Sequence, residues 1–343
     1  MLNVAVAILP VLAFLATLLL MDSFKLVQFR VVLSTILAGC CAAWLAFHSN
    51  GWLMSATGLS TTVFSRYLAP LVEESLKALY VVVLVRRRRI GFLVDAAIQG
   101  FAVGAGFAVV ENVDYLRHVA DTRVFLWIVR GFGTALLHGA TTAIVAMIGK
   151  SLADRHPGKS LSVFLPGWGA AVAIHSAFNH FILPPLLATG VLLVGLPLLL
   201  IAVFEQSEKA THEWLAAGLD ADIEVLRLIL SEQVGHTRVG SYLRSLKSSF
   251  PGEVVADMLC LLRVQLELSL RAKGMLLARE AGVAMPVGED VRANLMELTY
   301  LERSIGKTGL LALKPLQIRS GLDFWEVYLL EQASGKPAGG ASA

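Results

Sequence analysis

Residues 67–85 read YLAPLVEESLKALYVVVLV. The stretch is long and apolar enough to cross a bilayer as a helix, which takes about 20 residues. It nevertheless carries Glu73, Glu74 and Lys77. One ionisable side chain at the centre of a spanning helix costs roughly 2.5–3.5 kcal/mol on insertion scales, so such groups are read as functional first. Glu73 and Lys77 are four apart and share a helix face, so the spacing predicts that they pair. Glu74, turned away by about 100°, is then short of a local partner and is the carboxylate spared for chemistry.

Working outward, hydrophobic residues make up 56% of the chain and charged residues 16%, against roughly 45–50% and 25% in soluble domains. The excess lies in residues 1–204, where seven stretches suit a membrane crossing: about 2–21, 31–48, 67–85, 90–113, 124–149, 163–183 and 186–204. The expected fold is therefore all-α: a polytopic bundle of about seven transmembrane helices, followed by a soluble helical domain over 205–343 that ends in a short disordered tail after Lys336. The first stretch has no basic start and no A-x-A site before a mature domain, and reads as a retained span rather than a signal peptide. Pro184–Pro185 suits a sharp turn between the last two spans; as a kink in one helix it would lower the count to six.

Lysine and arginine set the orientation. Lys25 and Arg30, Arg86 to Arg89, and Lys150, Arg155 and Lys159 fall in alternate loops, against Arg66, Arg117 and Arg123 in the others. The richer set belongs to the cytoplasm, which places the N-terminus outside and the C-terminal domain inside. The arginine run is a topology signal, and no nucleic-acid partner is expected. Cys40, Cys41 and Cys260 form no disulfide or CxxC pattern. In the C-terminal part, apolar residues recur at three- and four-residue spacing over 219–232, 251–281 and 289–305, with Asp220 and Asp290 as caps. GKT at 306–308 is no phosphate loop, because position 301 is leucine where that motif needs glycine.

The polar residues inside the spans are the candidate site. They are Glu73, Glu74 and Lys77 in span three, Glu111 in span four, Arg130 and His138 in span five, and His175 and Asn179 in span six. At about 1.5 Å per residue, Glu73 and Glu74 lie roughly 10 Å from the outer end, Glu111 within about 5 Å, and Asn179 and His175 roughly 6 and 12 Å. His138, at roughly 20 Å, joins them only if its helix tilts or starts later. Converging carboxylates and histidines can bind a divalent ion or activate water directly. With zinc, histidines and a glutamate are the ligands and a second glutamate is the base. Without metal, Glu74 is the base, and Asn179 and a histidine polarise the carbonyl. The bland readings stand beside these. Histidines and Asn179 serve as interhelical hydrogen-bond donors, Glu73–Lys77 as a structural pair, Arg130 as a snorkelling side chain or a partner of Glu111, and the whole set suits an ion-coupled transporter. Asp95 reads as a partner of the nearby arginines.

EESLK at 73–77, FAVVE at 107–111, His138, and HSAFN at 175–179 resemble the E-E-x-x-K, F-x-x-x-E, histidine and H-x-x-x-N motifs of PrsW-type intramembrane proteases, in order and on successive spans. The resemblance covers about residues 60–205. The family is similar to the CAAX prenyl proteases, whose related group has E-E-x-x-x-R and F-x-x-x-H; this chain has lysine and glutamate at those places. The resemblance implies a peptidase of a bacterial cytoplasmic membrane that cuts a single-span partner, an anti-sigma factor in the best-known members, near its extracytoplasmic side. It implies Glu73, Glu74, Glu111, His138 and His175 as the site, supported by Lys77 and Asn179. If a metal is used, Zn2+ is the candidate, held by Glu111, His138 and His175. Residues 205–343 are left to bind a cytosolic partner or to self-associate. A transporter using the same carboxylates and a non-enzymatic scaffold are the other readings; no inverted repeat supports the transporter.

Overall fold

The structure is a computed structural model that describes residues 2–118, 123–156, 161–283, 285–286, 288–316 and 321–334. Lys159 and the tail after Lys336 lie outside the described residues. All described elements are helical, and the chain separates into two compact units, Met1–Glu208 and Lys209–Ala343.

The first unit holds α1 (Leu2–Met21), α2 (Phe29–Thr57), α3 (Ala69–Arg86), α4 (Leu93–His118), α5 (Ala135–Arg155) and α6 (Leu165–Asn179). The first part of α7 (Pro185–Leu230) completes it. Six described helical segments are long and apolar enough to cross a membrane: α1, α2, α4, Val124–Arg155, α6 with its lead-in turn (Leu161–Asn179), and α7. The segment 67–85 is not among these six. It is helical as expected, but Glu73, Glu74, Lys77 and Arg86 make it too charged to qualify on composition. It is accommodated by partners on α2, α5 and α6, described below. Two separate helices flank Pro184–Pro185, so that pair marks a turn and not a kink.

The central helix is α4. Its apolar window is 83% buried, against 22% for α1, which turns most of its surface outward. The reason is in the sequence: glycine and alanine let neighbouring backbones close in, and in a membrane van der Waals packing drives helices together. A methyl group on Gly104 would land on the His138 carbonyl of α5, and one on Gly106 would land on the Ile36 carbonyl of α2. Toward the other end, Val81, Leu84, Ile90, Ala96, Val145, Phe164 and Ala171 form a packed core drawn from α3, α4, α5, α6 and the turns that lead into α4 and α6. Asp95, at the start of α4, accepts the Gly91 N–H at 2.8 Å. This bond gives the buried N–H just ahead of the helix an acceptor.

The second unit contains the rest of α7, α8 (Arg238–Leu246), α9 (Gly252–Glu280), α10 (Glu289–Leu313) and α11 (Gly321–Ala333). Asp220 lies inside α7 and caps nothing, and Asp290 sits in the first turn of α10 behind Gly288 at the cap. At Gly306 α10 breaks, with φ 68°, a conformation glycine adopts without a Cβ penalty. Lys273, 5% exposed, is bonded to Asp222, lies 3.6 Å from Glu326 and sits over the Trp214 ring.

Candidate active site

Two π-helical turns prepare the site. Phe64–Leu68 leads into α3, and Val129–Thr134 leads into α5. Single π turns of this kind recur at functional sites. A π turn shifts the bonding register and leaves carbonyls to be satisfied from outside the helix. Here α6 supplies the donors: Ser176 Oγ donates to the Arg66 carbonyl at 2.6 Å, and Asn179 Nδ2 to the Ser65 carbonyl at 2.9 Å. Asn179 is therefore engaged with the backbone of the turn that leads into α3.

The other candidates meet. Glu74 is fully buried, and its Oε1 accepts from Lys77 Nζ at 2.6 Å, His175 Nδ1 at 2.7 Å and Thr141 Oγ1 at 3.2 Å. The pairing expected from spacing is thus reversed: Lys77 takes Glu74, three residues back, and not Glu73. The physical reason lies in the tertiary packing. Lys77 points at His138 on α5, with Nζ 3.0 Å from Nδ1, and Glu74 is the carboxylate on that side of α3. Glu73 faces another way. Its Oε1 accepts from Asn50 Nδ2 on α2 at 3.1 Å, and its Oε2 lies 3.9 Å from His175 Nε2. Glu111 Oε2 is 2.9 Å from His138 Nε2 and 3.2 Å from an Arg130 guanidinium nitrogen. Arg130 stacks on Tyr115 and donates from Nε to Asn112, which in turn bonds the Ala7 carbonyl. His138 reaches the group although its depth argued against it, because its helical segment runs 32 residues, Val124–Arg155. That exceeds the roughly 20 a bilayer needs, so depth counted from the first residue overshoots.

Hydrogen-bond chemistry assigns the ring protons. Lys77 can only donate and an ionised Glu111 can only accept, so His138 carries its proton on Nε2. Glu74 takes the Nδ1 proton of His175, which leaves a lone pair on Nε2. With the His175 ring neutral and Glu73 ionised, that lone pair and Glu73 Oε2 face each other across 3.9 Å as two acceptors. Such a pair calls for a water or a cation. The ligand atoms of Glu73, His138 and His175 all lie within 4.8 Å of one another. The donor set of two histidines and a carboxylate suits a divalent ion, and the carboxylate behind His175 is the orienting partner that metal-binding histidines use. Glu73 and His175 therefore fit an ion as they stand, and His138 would join them on giving up either its Nε2 bond to Glu111 or its Nδ1 bond from Lys77. This candidate group differs from the expected set of Glu111, His138 and His175 in having Glu73 where that set has Glu111.

The family model of PrsW family intramembrane metalloproteases matches residues 27–204, just over half of the chain. The chain belongs to the PrsW family. It is accordingly a membrane-embedded peptidase, and the metalloprotease class of the PrsW family agrees with the His/Glu group just described. Neither a curated protein nor a solved structure matches it significantly. The PrsW match extends upstream of the resemblance read from motifs, to residue 27, and so takes in α2 and Asn50. Asn50 and Thr141 escaped the reading of the sequence. Thr141 follows His138 by three residues, a spacing that puts both on one helix face. Asn50 had a weaker signal, since it lies beyond the apolar run 31–48 and is helical only because α2 continues to Thr57.

Proposed function

We propose that this PrsW-family peptidase hydrolyses a peptide bond of a single-span, anti-sigma-factor-like membrane protein near the extracytoplasmic face of a bacterial cytoplasmic membrane, with Zn2+ held by Glu73, His138 and His175. The observation that carries this reading is the facing pair of acceptors, His175 Nε2 and Glu73 Oε2. When bound, the ion would polarise the scissile carbonyl and make its water more acidic. Glu111 is the most water-accessible of the three carboxylates, with 27% of its side chain exposed against 14% for Glu73 and none for Glu74. Glu111 takes a proton from the attacking water, whose oxygen adds to the carbonyl carbon. The same carboxyl returns the proton to the leaving nitrogen as the C–N bond breaks. Arg130 holds Glu111 in place, and Glu74 with Lys77 and Thr141 holds His175.

The test is a cleavage assay with a purified single-span substrate, combined with elemental analysis. About one zinc per chain is expected, lost in His175→Ala and Glu73→Gln, with cleavage abolished by a chelator and restored by zinc. Zinc-independent cleavage would remove the ion from the reading. Solute flux that depends on Glu111, without cleavage, would favour the transporter.

A further inference from the structure

Glu74 has three donors on one oxygen, whereas Glu73, the carboxylate assigned to the ion, is bonded by Asn50 Nδ2 at 3.1 Å. Because a carboxylate only accepts, the amide nitrogen of Asn50 must be the atom that faces it. The amide oxygen is then sealed from solvent without a hydrogen-bond partner, an arrangement that works against stability and needs an offsetting use. Asn50 follows Ala43 and Ala46 by seven and four residues, on the face of α2 that packs with Phe107 of α4. That face is set close by Gly106 against the Ile36 carbonyl and by Gly39 against the Val103 carbonyl. The donor is thus presented from a rigid element, not from a loop.

Resting on the ion site proposed above, we infer that Asn50 is a positioning residue, which pins Glu73 Oε1 and thereby turns Glu73 Oε2 toward His175. Without it the Glu73 side chain, attached to α3 through rotatable bonds, has no second anchor at its charged end. The requirement is for one hydrogen-bond donor at that point on α2.

The test uses the full chain in detergent, loaded with Co2+, whose visible spectrum reports ligand geometry. Wild type, Asn50→Leu, Glu73→Gln and the double variant are titrated with Co2+ and assayed for cleavage. Asn50→Leu is expected to bind Co2+ roughly 10–100-fold more weakly, as loss of an outer-shell partner does. Its spectrum should change and its kcat fall, with KM little altered. Added to Glu73→Gln, Asn50→Leu should cause no further loss. Asn50→Ser, which keeps a donor, should recover part of the affinity, and decides the matter if the leucine variant misfolds. Wild-type Co2+ affinity, spectrum and kcat in a folded Asn50→Leu, beside a defective Glu73→Gln, would overturn the inference, as would losses that simply multiply. A wild type that neither binds Co2+ nor cleaves would instead overturn the site reading beneath it.

Discussion

At the scale of single residues, the three glutamates are separated by what surrounds them. Glu111→Gln should lower kcat by about 10²–10⁴-fold, the usual worth of a general base, while ion content stays at the wild-type level. Glu73→Gln should lose the ion itself. Equal ion loss in both would return Glu111 to the ligand set. Lys77 and Glu74 are both fully buried and 2.6 Å apart. Removing one member of such a pair leaves an uncompensated charge, so Lys77→Met should cost about 3–5 kcal/mol, read as a lower unfolding temperature in detergent together with lost cleavage. The residue types of this site were legible in the sequence, because ionisable groups inside apolar spans are conspicuous. Their partners were not. Spacing along α3 allows Lys77 to reach either Glu73 or Glu74, and only the position of His138 on α5 decides between them.

At the scale of elements, the site depends on how closely α4 and α5 approach. Gly104→Val puts a side chain into the His138 carbonyl, and overpacking of this kind costs about 1–3 kcal/mol. It should also displace His138 and abolish cleavage, whereas Gly51→Ala, with nothing within 4 Å of the new methyl, should leave cleavage unchanged. Loss of activity in both would mean that helix composition matters here and close approach does not. The small residues of α4 account for its central place. The two π turns had no signature in composition, since they arise where α3 and α5 must meet neighbours in a given register. That is also why Asn179 ends at the backbone of Ser65: the π turn presents a carbonyl that the helix itself does not use. In the second unit Lys273 holds Asp222 of α7 and approaches Glu326 of α11 from α9. Lys273→Ala should destabilise that unit by about 3 kcal/mol, seen as earlier unfolding by circular dichroism.

At the scale of the whole molecule, if α3 crosses together with the six apolar segments, the crossings number seven and the two ends lie on opposite sides. A tag at the N-terminus should be reached from outside intact cells, and one at the C-terminus only after lysis; both tags on one side would mean that α3 does not cross. All the residues of the site precede Asn179. A chain ending at Glu208 should therefore keep its zinc, by elemental analysis, and loss of zinc would show that the second unit supports the site. The sequence by itself determined that the chain is helical, that its first two hundred residues suit a membrane, and which side chains are candidates for the chemistry. Each of these is a property of a local run: apolar length, helical spacing, and charge where charge is costly. The tertiary structure alone decided that Lys77 pairs with Glu74 while Glu73 lies toward His175, that Thr141 and Asn50 bond these two carboxylates, and that Asn179 bonds the Ser65 carbonyl. Those outcomes depend on which helices meet, at what depth and in what register, and helices far apart in the chain meet according to shape.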